Sequence, residues 1–243
     1  NGTDYPEWVG CPLLVHRRCI SPMYDISNEI SYNGIMKQQT REPATTTAAT
    51  FVYDKSQWIN IVGKEKGNKN HFVEAQAQKV CEILEQAFCK SENPNLYIIS
   101  PFTSVVNGMK AYLKEYKRKV TDSYLSSCDS EWLNQNIGTV HTFQGKEANE
   151  VIFLLGCDTS PEARGAIRWV NNNIVNVAAT RAKFRLYVIG DEKAWQESAC
   201  VKKAKTILDT FAIRKIKEIL EEQLPEEEQA KALISASASL PSI

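Results

Sequence analysis

The sequence predicts an α/β domain in which a mainly parallel sheet is covered by helices on both faces, with a further helix at the C-terminal end. Three observations predict it. Short apolar runs of strand length alternate along the chain with longer stretches whose apolar residues recur at helical spacing, the order that builds a parallel sheet. At 243 residues, with 43% hydrophobic and 24% charged residues, the chain is long enough to bury one large core or two small ones. The stretch after Ser100-Pro101 keeps near-perfect helical period through Phe102, Val105, Val106, Met109, Tyr112, Leu113, Tyr116 and Val120, which reads as strand, tight turn, helix.

The elements follow in order. Residues 1–10 are polar, carry Pro6 and two glycines, and read as a linker or truncation scar before the domain proper at 11–199. Leu13-Leu14-Val15 is a short strand, and a helix follows from about Pro22 to Tyr32, with proline in its first turn and a stop at Asn33-Gly34. After the Thr/Ala run Thr45–Thr50, the segments Thr50–Asp54 and Gln57–Val62 read as two strands, and Gly63–Asn70 as a polar loop. Val73, Ala77, Val80, Cys81, Leu84, Ala87 and Phe88 predict an amphipathic helix over 71–90. Strands are expected at Leu96–Ser100, Ile137–Val140, Val151–Leu155 and Arg185–Ile189, with a short helix at Asn173–Ala182. Residues 200–224 form the C-terminal helix, apolar at Leu208, Phe211, Ile216 and Leu220, and the Glu-rich then Ala/Ser-rich stretch 225–243 reads as a flexible tail.

Lys plus Arg and Asp plus Glu each number 29, so the whole-molecule field points to no nucleic-acid partner and any such binding is local. The 7 cysteines form no CxxC pair and no histidine stands at zinc-ligand spacing, so no metal ligand is assigned and the thiols read as reduced, in a cytoplasmic compartment. No apolar run approaches the roughly 20 residues of a membrane span, so no membrane partner is expected. His71 reads as a helix-entry residue, and the scattered Trp58, Trp132, Trp169 and Trp195 as packing residues. Lys110, Lys114, Lys117 and Arg118 read as a solvated helix face in preference to a phosphate-binding patch.

The chemistry concentrates in two segments. Gly138-Thr139-Val140-His141-Thr142-Phe143-Gln144-Gly145-Lys146-Glu147 is wedged between two strands, and α/β sheets place ligands at the carboxyl ends of strands. Gly145 lets backbone approach a phosphate or ribose, and Gln144 and Glu147 offer hydrogen bonds to sugar hydroxyls; a plain solvated loop is the alternative. Asn176-Val177-Ala178-Ala179-Thr180-Arg181-Ala182-Lys183 puts Asn176, Thr180 and Lys183 at helical spacing beside Arg181. An arginine held rigidly is what phosphoryl transfer uses against γ-phosphate charge; an ordinary surface arginine is the alternative.

GTVHTFQGKE followed by NVAATRAK resembles motifs V and VI of superfamily 1 helicases, in the branch that includes the nonsense-mediated-decay RNA helicase and its bacterial relatives. Leu13-Leu14-Val15-His16-Arg17-Arg18 resembles motif IIIa and Ile98-Ile99-Ser100-Pro101-Phe102 motif IV, in the family's order. The resemblance implies a three-layer RecA-like, P-loop-NTPase-like fold and the second motor domain of an ATP-dependent helicase. It implies that Arg181 and Arg18 are the catalytic arginines that reach the γ-phosphate. Gly145, Glu147, Gln144, Arg17 and Lys183 would lie against nucleotide, with Glu147 on the ribose, and Ser100, Thr103, Thr139, His141 and Thr142 on the single-strand backbone. The branch often has tyrosine where this chain has Arg17; a guanidinium plane also stacks on a base.

The only Gly-Lys pairs, Gly63-Lys64 and Gly145-Lys146, are each followed by Glu, so no GxxxxGK[ST] phosphate loop is present, and no acidic metal motif follows a strand. ATP and Mg2+ are therefore expected to be held by the N-terminal RecA-like domain of the same polypeptide, with the magnesium ligands outside this chain. The partners expected are that domain and single-stranded DNA or RNA. This chain alone is expected to be inactive. The alternative is a non-enzymatic adaptor that keeps the fold as a nucleic-acid or protein-binding module.

Overall fold

A computed structural model describes residues 14–67, 70–120 and 123–223. The linker read at 1–10, Leu13 of the first expected strand and the tail at 225–243 lie outside the described residues. Strand β1 (Val15–His16) pairs in parallel with β2 (Lys37–Gln38), and helix α1 (Met23–Ser31) joins them. The stop read at Asn33-Gly34 is made by two left-handed residues, with φ of 50° and 76°. The Thr/Ala run closes into one turn, α2 (Thr45–Ala48), and β3 spans Gln57–Asn60.

The strand expected at Thr50–Asp54 does not form. Side chains occupy the backbone groups that a strand ladder would need. The Val52 N–H donates to the Glu150 carboxylate at 2.9 Å, the Tyr53 N–H to the Tyr187 hydroxyl at 3.2 Å, and the Phe51 carbonyl accepts from Lys90.

From there α3 (Glu74–Lys90), β4 (Leu96–Ser100), α4 (Thr103–Lys119), α5 (Ser130–Asn136), β5 (Ile137–Thr139) and β6 (Ala148–Leu154) follow. Next come α6 (Arg164–Trp169), α7 (Asn172–Ala179), β7 (Ala182–Gly190), α8 (Glu192–Trp195) and α9 (Ala199–Gln223). Helices α5, α6 and α8 span at most two turns, too short for periodicity to reveal them. Two of them are set by local caps, Asp129 accepting from Trp132 N and Asp191 from Lys193 N.

Helix α7 ends three residues before the expected boundary, and Lys183 stands on β7, not on the helix face with Asn176 and Thr180. The Arg181 carbonyl already accepts from the Ala148 N–H at 2.9 Å, which starts the β6–β7 ladder and ends the helix.

Five parallel strands lie in the order β3-β7-β6-β4-β5. Alternate side chains feed two separate cores. Tyr97, Ile99, Val151, Phe153, Leu186 and Val188 face α1, α7 and α9, whereas Leu96, Ile98, Ile152, Leu154, Tyr187 and Ile189 face α3, α4 and α5. The layers are helix, sheet, helix, as the sequence predicts, and among the described residues no helix is long and apolar enough to cross a membrane. Residues 140–147 carry the chain from the carboxyl end of β5 across the first of these faces to the amino end of β6, with β4 lying between the two strands.

Candidate functional site

That crossing separates the residues that the sequence marks as candidates onto two opposite edges of the sheet. Glu147 precedes β6 and Arg181 precedes β7, so both stand at the amino ends of the strands, and the Ile20 N–H donates to the Lys183 carbonyl at 3.0 Å, bringing the Arg17-Arg18 segment to the same edge. A cleft of about 700 Å3 opens there between β1, α1 and α7, lined by Arg17, Arg18, Glu147, Asn176, Thr180 and Arg181 among others. The carboxyl-end placement expected for the whole 138–147 segment therefore holds only for its first residues.

Glu147 gathers the exposed cations of this edge. Its carboxylate lies 3.8 Å from Arg18 Nε and 3.2 Å from Lys183 Nζ, with all three side chains about 40% exposed. Exposed pairs of this kind contribute at most about 1 kcal/mol, so both cations can leave Glu147 for a stronger anion. Arg17 is exposed as well, its guanidinium 3.4 Å from Gln39 Oε1. Gln144 and Gly145 are exposed in the crossing loop, outside the cleft lining; Gly145 takes φ of 88°, the left-handed region that only glycine enters freely.

Arg181 is different. Only 4% exposed, it donates from Nε to the Val177 carbonyl at 3.1 Å, from one terminal nitrogen to the carbonyls of Phe143 (3.3 Å) and Lys146 (2.9 Å), and from the other to Thr180 Oγ1 (3.2 Å). Four of its five N–H donors are thus used inside the chain. Burial, and then the charge of neighbouring Arg18, pulls its pKa down. The guanidinium clamps the crossing loop, whose Phe143 is fully buried and stacked on Tyr97 at 4.4 Å.

His16 shapes the turn that presents the two exposed arginines. Its Nε2 accepts the Cys19 backbone N–H at 3.1 Å and stands 3.0 Å from the Cys19 sulfur, so this nitrogen is unprotonated. Burial, and then the Arg18 charge, lowers the imidazole pKa below 6.5. With the folded pKa depressed, the unfolded chain takes up the proton first. Stability is full above the unfolded value of 6.5 and falls as pH drops through it toward the folded pKa. The melting temperature is expected to drop below that pH, and His16→Gln to flatten this part of the profile; an identical profile in the variant removes His16 from the role.

Thr139 and Ser100 pair at the opposite edge, at the carboxyl ends of β5 and β4. Thr103, His141 and Thr142 are exposed beside them, with the Thr139 and Thr142 hydroxyls 3.1 Å apart. Ser100 is 1% exposed, and its Oγ accepts the Phe102 N–H at 3.3 Å, so its side chain shapes the turn into α4 and does not reach the surface. Trp132 and Trp195 are buried as expected, but Trp169 is 52% exposed, 6.1 Å from the Phe102 ring. On the helix face read as solvated, Lys110 donates to Asn134 Oδ1 at 3.2 Å and Lys117 to the Cys128 carbonyl.

Two further polar residues line the cleft: Ser27, which carried no sequence signal for a site, and Asn176, which the sequence places in the Arg181 segment but with no role assigned. Ser27 is 1% exposed and its Oγ has no hydrogen-bond partner, and Asn176 Oδ1 is likewise buried without one. Buried polar atoms left unpaired are destabilising, so these two are suited to a polar guest. With Arg17 and Arg18 beside them, the lining fits an anionic, hydrogen-bonding ligand such as a nucleotide, though it contains no phosphate loop or paired carboxylates for magnesium.

Residues 10–193, more than half of the chain, match the AAA domain family. The chain is 29% identical over 168 residues to the regulator of nonsense transcripts 1 homolog of Drosophila melanogaster, covering 66% of this chain. It is 23% identical over 189 residues to regulator of nonsense transcripts 1 of Dictyostelium discoideum, covering 74% of this chain. It spans 13% of the length of each of these relatives.

Proposed function

Since the chain belongs to the AAA domain family, as a domain of the superfamily 1 helicase type, we propose that it is the second motor half of an ATP-driven single-strand translocase. The observation that carries this reading is the convergence of Arg18, Glu147 and Arg181, from three distant segments, on one cleft at the amino edge of the sheet. Bound ATP would supply the phosphoanhydride whose hydrolysis drives opening and closing between two motor domains.

Within such a cleft Arg18 would hold the γ-phosphate by leaving its exposed pair with Glu147, which frees that carboxylate for a ribose hydroxyl. Arg17 would stack on the base. Arg181 would reach the phosphate by exchanging the carbonyls of Phe143 and Lys146 for phosphate oxygens. That exchange loosens residues 143–146, the loop that runs to Thr139, His141 and Thr142 at the far edge, so one guanidinium would link phosphate occupancy to the grip on a strand. Thr103, Thr139, His141 and Thr142 would contact phosphate and sugar, with little sequence preference.

The reading is tested by steady-state ATP turnover of the 243-residue chain alone. No hydrolysis above background is expected, and nucleotide should bind no tighter than about 0.1 to 1 mM, roughly 4 to 5.5 kcal/mol, because half a cleft supplies half the contacts. Turnover clearly above background from the pure chain overturns the assignment to a second half.

A further inference from the structure

A second cluster lies at the carboxyl end of β6, on segments that the nucleotide cleft does not use. One side-chain ligand atom each from Glu65, His71 and Cys157 lies within 4.8 Å of the others. Carboxylate oxygen, imidazole nitrogen and thiolate sulfur together form a borderline-soft donor set. Zn2+ takes such donors at about 2.0 to 2.3 Å, which places ligand atoms roughly 3 to 4 Å apart, a small contraction from the present spacing. We propose that Glu65, His71 and Cys157 bind Zn2+ or a similar dication, leaving one coordination position to water or an oxygen ligand.

Several features hold the three residues for this task. The Glu65 side chain is 6% exposed, that of His71 17%, and Cys157 is fully buried. Glu65 Oε2 accepts the His71 N–H at 2.9 Å, with Oε1 3.2 Å from Nδ1, and the Glu65 N–H is itself fixed by Asp158 Oδ2 at 3.0 Å. The Cys157 N–H donates to the His71 carbonyl at 2.8 Å. That approach requires Gly156, where a Cβ would stand 2.3 Å from the same carbonyl oxygen and φ is 65°.

Among the described residues three non-glycines have positive φ, and two of them are His71 (57°) and Cys157 (61°). Strained backbone of this kind gathers at binding sites, where the surroundings over-determine it. Asp158 Oδ2 accepts the Glu65 N–H and Oδ1 the Ser160 N–H, so Asp158 orients the ligand Glu65 and lies outside the trio of clustered ligand atoms.

The same trio is not a nucleophilic triad. Burial, then the Glu65 and Asp158 charges, push the thiol pKa up, so the nucleophilic thiolate is scarce at neutral pH. On binding, the thiol gives its proton to solvent and its sulfur lone pair to the dication, and the His71 nitrogen that binds metal is the deprotonated one. The bound ion would tie the loop that enters α3 to the end of β6.

The test uses the 243-residue chain carrying Cys11→Ser and Cys89→Ser, since Cys89 is exposed and Cys11 lies outside the described residues. After chelator treatment, Co2+ is titrated in and then displaced by Zn2+. One equivalent of Co2+ with a thiolate-to-cobalt charge-transfer band is expected, displaced stoichiometrically by Zn2+, with a rise in melting temperature on metal addition. His71→Asn, which tolerates the left-handed backbone, and Cys157→Ser are each expected to weaken binding by about 100-fold or more. No thiolate band in the parent, or a binding curve that neither substitution shifts, overturns the site. Neither outcome depends on ATP turnover, so failure here leaves the motor reading standing.

Discussion

In a polypeptide that joins this domain to a phosphate-binding partner, Arg181→Ala is expected to lower the catalytic constant for ATP hydrolysis by about 10³-fold or more, the low end for a transition-state arginine. Single-strand binding without nucleotide should shift toward its nucleotide-bound value, because the variant lacks the guanidinium that holds the Phe143 and Lys146 carbonyls. Arg181→Lys is expected to fail nearly as badly, because an ammonium cannot span two phosphate oxygens, nor two loop carbonyls, in a planar fork. The side chain is 4% exposed and donates to Phe143, Lys146, Val177 and Thr180, so Ala also strips partners from buried acceptors. That loss is expected to lower stability by about 2 to 4 kcal/mol, and a melting curve measured beside the kinetics separates it from the catalytic loss. If Arg181→Lys keeps more than about half of the wild-type rate, the phosphate contact belongs to Arg18 and Arg181 is a clamp on the crossing loop alone. An adaptor with this fold would show no rate effect in either variant.

The second large effect is on stability. Glu150, 3% exposed in the middle of the sheet, accepts the Tyr187 hydroxyl at 2.5 Å and the Val52 N–H at 2.9 Å. Glu150→Ala orphans the buried Val52 N–H, leaves the Tyr187 hydroxyl only the long contact to the Tyr53 carbonyl and removes one of the side chains that hold the 51–53 segment, which is expected to cost about 2 to 4 kcal/mol in urea unfolding at unchanged slope. Glu150→Gln keeps an acceptor in place and is expected to stay within about 1 kcal/mol of wild type at neutral pH. Burial raises the Glu150 pKa above 4.5, against the opposing pull of Tyr187, Val52, Arg185 and Lys90. The folded state therefore holds that proton more tightly than the unfolded one. Its contribution is fully present below the unfolded pKa of 4.5 and is lost as pH rises through the folded value. A Gln variant as unstable as Ala would mean that the negative charge, acting on Arg185 or Lys90, matters more than the hydrogen bonds.

Much of the fold was legible in the sequence because its signals are local. The helical periods of residues 74–90 and 103–119 and the strand at Leu96–Ser100 emerge almost at their observed bounds, since apolar spacing and turn residues act over a few positions. Thr50–Asp54 misled for the opposite reason. Its strand-like composition is overridden by Glu150 and Tyr187, roughly a hundred residues away in sequence, which take up its N–H groups. The pattern of small and polar residues runs on past Ala179 and extends the helical spacing to Lys183; the β6–β7 ladder, a long-range pairing, decides where α7 stops.

By itself, then, the sequence determined the layered α/β class and the family, because hydrophobic period and short motifs are written within a few consecutive residues. Only the tertiary structure decided which residues share a surface. It divided the 138–147 segment between two edges of the sheet and buried Arg181 while leaving Arg18 open. It also drew Ser27 and Asn176 into the cleft and brought Glu65, His71 and Cys157 within 4.8 Å of one another. The physical reason is common to all of these: strand order and crossover path set distances between residues far apart in sequence, and no spacing rule along the chain encodes them.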